Sequence, residues 1–225
     1  MNIAITGSNG FLGKAICQKL KTLNHQIVEI DLVNGKDLID NTTLSDITCF
    51  DVLIHFAAVS FVPDSFKNPV KYYKTNIIST INAIELCRKF SAKFIYTSSY
   101  VYGTPKYLPI DENHTISAHN PYAQSKLIGE DICFAYYRDF NVPYTIFRPF
   151  NIYGPGQNNN FIIPLIIDQA SSGEISLKDP RPRRDFIYVD DVIDAYINAI
   201  NIKSSNQEIL NLGSGMSHSI EAITK

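Results

Sequence analysis

The chain has 225 residues, 45% of them hydrophobic and 19% charged, with a formal net charge of −2 at pH 7. That length and apolar content suffice for a substantial core and exclude a disordered chain. The near-neutral charge offers no basic field for nucleic acid or an anionic membrane, so neither is expected as a partner. Cys17, Cys49, Cys87 and Cys133 are scattered, with no CxxC pair and no histidine cluster, which argues against a zinc site or a disulfide framework and for a reducing compartment. No charged-then-apolar leader precedes the first strand and no apolar run approaches a bilayer span, so a soluble cytoplasmic protein is expected.

Asn2–Thr6 is an apolar, β-branched run of strand length. Gly7, Gly10 and Gly13 then recur every third residue into a helix that carries Ala15, Ile16 and Leu20. In such a turn Gly7 permits the sharp reversal, Gly10 lets backbone N–H groups approach a pyrophosphate, and Gly13 allows close packing of helix on strand. The pyrophosphate would sit at the helix N-terminus, where unpaired N–H groups and the macrodipole favour an anion. Gln26–Ile30 reads as the second strand and ends at Asp31. A carboxylate there can accept both adenosine ribose hydroxyls and repels a 2′-phosphate, which predicts NAD in preference to NADP.

Further along, residues 52–58, 93–98 and 144–148 read as buried strands, and Pro69–Phe90 and Pro121–Phe140 as helices. Strands alternating with helices predict an α/β fold, a doubly wound parallel Rossmann sheet. The ligand is then expected beyond the carboxyl ends of the strands, where Asp31, residues 55–58, Ser98, Ser99 and residues 148–151 all fall. Residues 1–150 are read as the dinucleotide-binding domain and 151–225 as a smaller, partial substrate region. In the latter, 154–160 is a turn-rich loop, 161–170 a helix, 174–177 a short strand, 179–184 a basic, proline-rich loop, and Glu208–Leu212 a strand able to return to the main sheet. Ile220 begins another helix.

Tyr122 and Lys126 lie four apart on a predicted helix and so share one face. An ammonium beside a phenol favours the phenolate and brings its pKa toward the range of a general base. Ser98, at a neighbouring strand end, can hydrogen-bond the same substrate oxygen. By themselves, a tyrosine and a lysine at this spacing are also a common surface pair. His55 is expected to order its strand end, and the pairs Tyr72, Tyr73 and Tyr136, Tyr137 to serve core and interface.

TGSNGFLG at 6–13, HFAA at 55–58, YTSSYVYG at 96–103, PYAQSK at 121–126, FRPFNIYGPGQ at 147–157 and RRDFIYVDDV at 183–192 occur in the order seen in extended short-chain dehydrogenases/reductases. The chain resembles their NAD-dependent epimerase/dehydratase branch, which acts on nucleotide sugars. The resemblance implies Tyr122 as catalytic base, Lys126 as its tuner and a ligand of the nicotinamide ribose, and Ser98 as the third catalytic member. It implies an NAD site drawn from Gly7, Asn9, Gly10, Phe11, Leu12, Gly13, Asp31, Asp37, Leu38, Phe56, Ala57, Ala58, Asn76, Tyr122, Lys126 and Pro149. Ser60, Ser99, Asn151 and Arg184 would meet the sugar nucleotide, Arg184 through its diphosphate. A UDP- or dTDP-sugar and a second copy of the chain, in a homodimer, are the partners implied.

Relatives that eliminate water resemble one another in an Asp-Glu pair directly after the Ser/Thr, and the similar decarboxylases tend to carry the Glu. Here the two positions are Ser99 and Tyr100, neither an efficient carboxyl acid or base. A 4-epimerase working through a transient 4-keto sugar is therefore expected, with a 4-ketoreductase or 4,6-dehydratase as alternatives and an NAD-binding homologue without turnover as a reading of another class. Members of the family usually continue well past the positions of Glu208 and Ser219, so the substrate region is expected to be incomplete and its pocket shallow on the base side.

Overall fold

A computed structural model describes residues 1–177, 179–201 and 207–224. β1 (Asn2–Thr6), α1 (Phe11–Thr22) and β2 (Gln26–Ile30) are followed by β3 (Val52–His55), α2 (Val62–Lys67), α3 (Pro69–Phe90) and β4 (Lys93–Thr97). Then come α4 (Pro121–Phe140), β5 (Tyr144–Pro149), β6 (Asn151–Tyr153), α5 (Ile162–Ser172), β7 (Arg183–Tyr188), α6 (Val189–Asn201), β8 (Glu208–Leu212), β9 (Ser217–Ser219) and α7 (Ile220–Ile223).

The main sheet has the order β2-β1-β3-β4-β5-β8, with every neighbouring pair parallel. Alternation along each strand supplies both faces. Ala4, Leu53, Phe94, Tyr96 and Ile146 pack with Ala83, Ile84 and Cys87 of α3 and Cys133 of α4. Their sequence neighbours Ile3, Ile5, Val52, Ile54, Ile95 and Phe147 pack on the opposite face with Ile16 and Leu20 of α1 and Val192, Ile193 and Tyr196 of α6. The chain leaves β1 toward β2 on one side and reaches β3 on the other, so a crevice opens between β1 and β3 at their carboxyl ends.

Local chemistry sets the helix that matters most. Asn120 precedes α4 in extended conformation, its side chain accepts from Ala123 N at 2.8 Å, and Pro121 supplies the first helical residue. At the other end Asn141 takes the left-handed conformation that stops the helix.

Three expectations are corrected. The strand at 52–58 ends at His55, because residues 56–58 turn away to line the crevice. Residues 174–177 form no strand: among the described residues no strand pairs with them, and Ser176 N instead donates to Gln169 Oε1 at 2.9 Å. Arg183 and Arg184, expected in a loop, begin β7, the centre of a small second sheet in which β6 pairs parallel and β9 antiparallel. β8 does rejoin the main sheet, and Gln207 N donates to the carbonyl of Tyr144 at 2.7 Å.

Candidate active site

The crevice is a cavity of about 770 Å³ that runs from the glycine turn across the ends of β2, β3, β4 and β5 to β6, β7 and the start of α5. Gly7, Gly10, Phe11, Leu12, Gly13, Asp31, Asp37, Leu38, Phe56, Ala57, Ala58, Tyr122, Lys126 and Pro149 line it, as do Ser60, Ser98, Ser99 and Asn151. Asn9, Asn76 and Arg184 do not. Asn9 contributes its backbone, donating from N to Asp31 Oδ2 at 3.0 Å, while Asp31 Oδ1 accepts from Val33 N at 3.0 Å. The second strand end and the glycine turn are thus tied through one carboxylate. Asn76 stands behind the wall: it accepts from Val59 N at 2.9 Å and donates to Ser125 Oγ at 2.8 Å, so both polar ends of its amide are used to hold the loop after β3. Arg184 is exposed and donates to the carbonyl of Arg183.

The turn has the shape of a cradle. Gly7 adopts φ +66°, and a Cβ on Gly13 would stand 2.0 Å from the Gly7 carbonyl oxygen. Inside the turn Ser8 Oγ and Asn9 Nδ2 are buried without hydrogen-bond partners, as expected of polar atoms that await a ligand. A turn without Cβ atoms at Gly7, Gly10 and Gly13, unspent donors and a carboxylate at the second strand end fit a dinucleotide.

His55 is wholly buried, its Nδ1 2.8 Å from Thr6 Oγ1 and its Nε2 3.3 Å from Thr80 Oγ1. Burial, with Lys126 nearby, holds it well below the usual histidine range, so it stays neutral and orders the strand end.

Tyr122 and Lys126 face the cavity from α4. The Tyr122 phenol takes Ser99 as hydrogen-bond partner, and its ring meets that of Tyr72 edge-on at 6.5 Å between centroids. The electrostatics differ from expectation. Burial pushes the phenol up, with only Ser99 opposing, and burial pulls the Lys126 ammonium down to about 7. The lysine expected to lower the phenol is itself costly to charge here because it is buried; the Tyr96 ring, 4.8 Å from Nζ to its centroid, and the Glu130 carboxylate favour the ammonium but do not offset that burial.

Glu130 also redistributes the serines. It accepts from Arg148 Nε at 2.9 Å and from Nη2 at 2.5 Å, and both residues are buried. Ser98, 1% exposed, donates its hydroxyl to Glu130 Oε1. Ser98 thus closes a buried clamp between α4 and β5, while its half-buried neighbour Ser99 addresses the phenol. Tyr102 extends the clamp, accepting from Arg148 at 3.0 Å and donating to Asn211 Oδ1 on β8 at 2.6 Å. Tyr100, at the place where eliminating relatives carry a carboxyl group, lines the cavity and donates its hydroxyl to the Gly103 carbonyl at 2.6 Å.

A profile described as the NAD dependent epimerase/dehydratase family matches residues 3–213. The chain belongs to this family. NAD is its cofactor, and the cradle, the unspent donors and Asp31 are the parts that would receive it. A Methanocaldococcus jannaschii protein provisionally named UDP-glucose 4-epimerase is 35% identical, the match covering 98% of this chain and 79% of that one. The GDP-6-deoxy-D-mannose reductase of Pseudomonas aeruginosa is 31% identical over 88% of this chain and 69% of its own. Among solved structures, the UDP-glucose 4-epimerase of Thermotoga maritima with UDP-glucose superposes with a TM-score of 0.93 at 25% identity, over all of this chain and 80% of that one. Family members include epimerases, reductases and dehydratases of nucleotide sugars, and this chain is an enzyme of that family. Among the described residues no helix is long and apolar enough to cross a membrane.

Among the cavity residues that the sequence does not single out are Gln157, Phe161 and Phe186. Gln157 sits inside a motif that was recognised, but nothing in its spacing separates a wall residue from a turn residue. Phe186 becomes visible only once 183–188 is known to be a strand.

Proposed function

We propose that the protein interconverts the 4-epimers of a nucleotide-diphosphate sugar, a UDP- or dTDP-sugar, with residues 1–150 holding NAD and 151–225 contributing the sugar-nucleotide side. The observation that carries this reading is the pairing of Ser99, Tyr122 and Lys126 on one cavity with no carboxyl group at positions 99 and 100. Tyrosine can take and return a hydroxyl proton; without a carboxyl acid and base beside it, elimination of water lacks its catalysts. NAD, when bound, supplies the hydride acceptor.

Within the chain, Tyr122 takes the proton of the sugar 4-hydroxyl, and Ser99 lowers the cost of the phenolate by donating to it. Lys126, charged when a ligand offsets its burial, completes the effect. Asp31 favours an adenosine ribose with free hydroxyls. Epimerisation further requires the oxidised sugar to present either face to the cofactor, for which the breadth of the cavity leaves room. The same reading takes the protein to act in the cytoplasm as a homodimer, which light scattering on the purified chain tests.

Incubation with UDP-galactose and UDP-N-acetylgalactosamine, with chromatographic separation of the 4-epimers, tests the reaction. A second reading, a 4-ketoreductase, is favoured by the 31% identity to the GDP-6-deoxy-D-mannose reductase. Net oxidation of a reduced nicotinamide cofactor by a 4-keto sugar nucleotide, without epimer formation, would select it.

A further inference from the structure

Gln157, in the turn after β6, holds a polar atom of the cavity wall that the reaction above leaves unused. Its Nε2 donates to the Ile152 carbonyl at 2.8 Å, its backbone N donates to the Gly154 carbonyl at 3.3 Å, and the side chain lines the cavity. Its Oε1 is buried with no hydrogen-bond partner. The orientation of the amide follows from chemistry: a carbonyl oxygen can only accept, so the NH2 end must face Ile152 and the acceptor end is left toward the remaining space. A buried acceptor held in this way by two anchors is costly unless a ligand supplies a donor.

The surroundings define the ligand's chemistry. Among the described residues, the only lysines or arginines on the cavity wall are Lys36, which is paired with Asp46, and Lys126. Around Gln157 the wall is instead formed by Ile152, Asn158, Phe161 and Phe186, all neutral. An acceptor in a neutral wall repels phosphate and carboxylate and suits a donor on an uncharged part of the ligand.

We propose that Gln157 is a substrate-recognition residue whose side-chain carbonyl accepts a hydrogen bond from a hydroxyl or N–H of the nucleotide sugar. This rests on the nucleotide-sugar reading of the site. Loss of the bond leaves a buried donor of the ligand unpaired, so affinity falls by roughly 5- to 100-fold.

Calorimetry with NAD present, on wild type and Gln157→Met, tests this with UDP-glucose, UDP-N-acetylglucosamine, dTDP-glucose and GDP-mannose, and with UDP for the nucleotide alone. The expected result is that the variant loses affinity for the sugar nucleotide that wild type binds, while NAD affinity stays unchanged. A loss that spares UDP assigns the donor to a sugar hydroxyl; an equal loss for UDP assigns it to the nucleoside. Equal affinities in wild type and variant overturn the proposal and leave the nucleotide-sugar reading standing. So does a parallel loss of NAD affinity, which would make Gln157 structural. If wild type binds none of the sugar nucleotides, the nucleotide-sugar reading itself fails, and the proposal with it.

Discussion

Replacing Gly13 by alanine probes how closely α1 is pressed on the turn that receives the cofactor. The added Cβ would stand 2.0 Å from the Gly7 carbonyl oxygen and 2.7 Å from Ser8 Cα, whereas ordinary contact starts at 3.4 Å, so helix and turn must part by 3.4 − 2.0 = 1.4 Å. The obstacle is backbone that cannot yield. Gly7 N is held by the Ile30 carbonyl at 2.9 Å, and the space beside its own Cα is filled by Ala57 N, 2.9 Å from where a Cβ would be. Overpacking of this kind costs about 1–3 kcal/mol, which in a chain of this size lowers Tm by roughly 2–12 °C. NAD affinity should fall by at least about tenfold, the equivalent of one hydrogen bond, because the displaced segment is the cradle itself. Gly10→Ala is the internal comparison: its Cβ would meet the same oxygen at 3.1 Å, which a shift of a few tenths of an ångström relieves. Thermal unfolding and calorimetric NAD titration of the two variants measure both effects. A Gly13→Ala protein within about 1 °C of wild type in Tm, and within about twofold in NAD affinity, would refute the reasoning.

Asp31→Ala should weaken NAD binding and narrow its advantage over NADP, read by titration with each; tighter binding of NADP by wild type would contradict the carboxylate argument. Tyr122→Phe should abolish turnover of an accepted sugar nucleotide with NAD affinity nearly intact, while Ser99→Ala should shift the pH profile of the rate upward and Ser98→Ala should leave it in place, since only Ser99 meets the phenol. Glu130→Ala strands the buried Arg148 charge and should cost about 3–5 kcal/mol in denaturant unfolding, far more than Ser98→Ala. Lys126 is depressed to about 7 in the folded chain from an ordinary 10.5, so the unfolded chain binds the extra proton between those values and this group's destabilising effect is full below pH 7 and relieved above it. The Tm advantage of Lys126→Met over wild type should therefore be largest near pH 6 and shrink toward pH 9; a pH-independent difference would show that the lysine is not costly to charge.

The elements that carry the site were legible where the signal is local. β1, β2, α3, α4 and β8 fall on the residues expected, because strand alternation, the proline and asparagine that start α4, and the glycines of the turn each act within a few residues of chain. The glycine spacing likewise prescribed the cradle, and the 122–126 spacing placed phenol and ammonium on one helix face. What the sequence alone could not determine depends on partners far along the chain. Residues 174–177 have strand-like composition but, among the described residues, no strand beside them, whereas 183–188 extends because β6 and β9 pair with it. Ser98 and Ser99 are adjacent and chemically alike, and only the packing of Glu130 against Arg148 decides that one hydroxyl is buried in the clamp and the other meets Tyr122. The charge on Lys126 and the unspent carbonyl of Gln157 have the same origin: desolvation and hydrogen-bond satisfaction are sums over everything packed around a group, and that surrounding exists only in the tertiary structure.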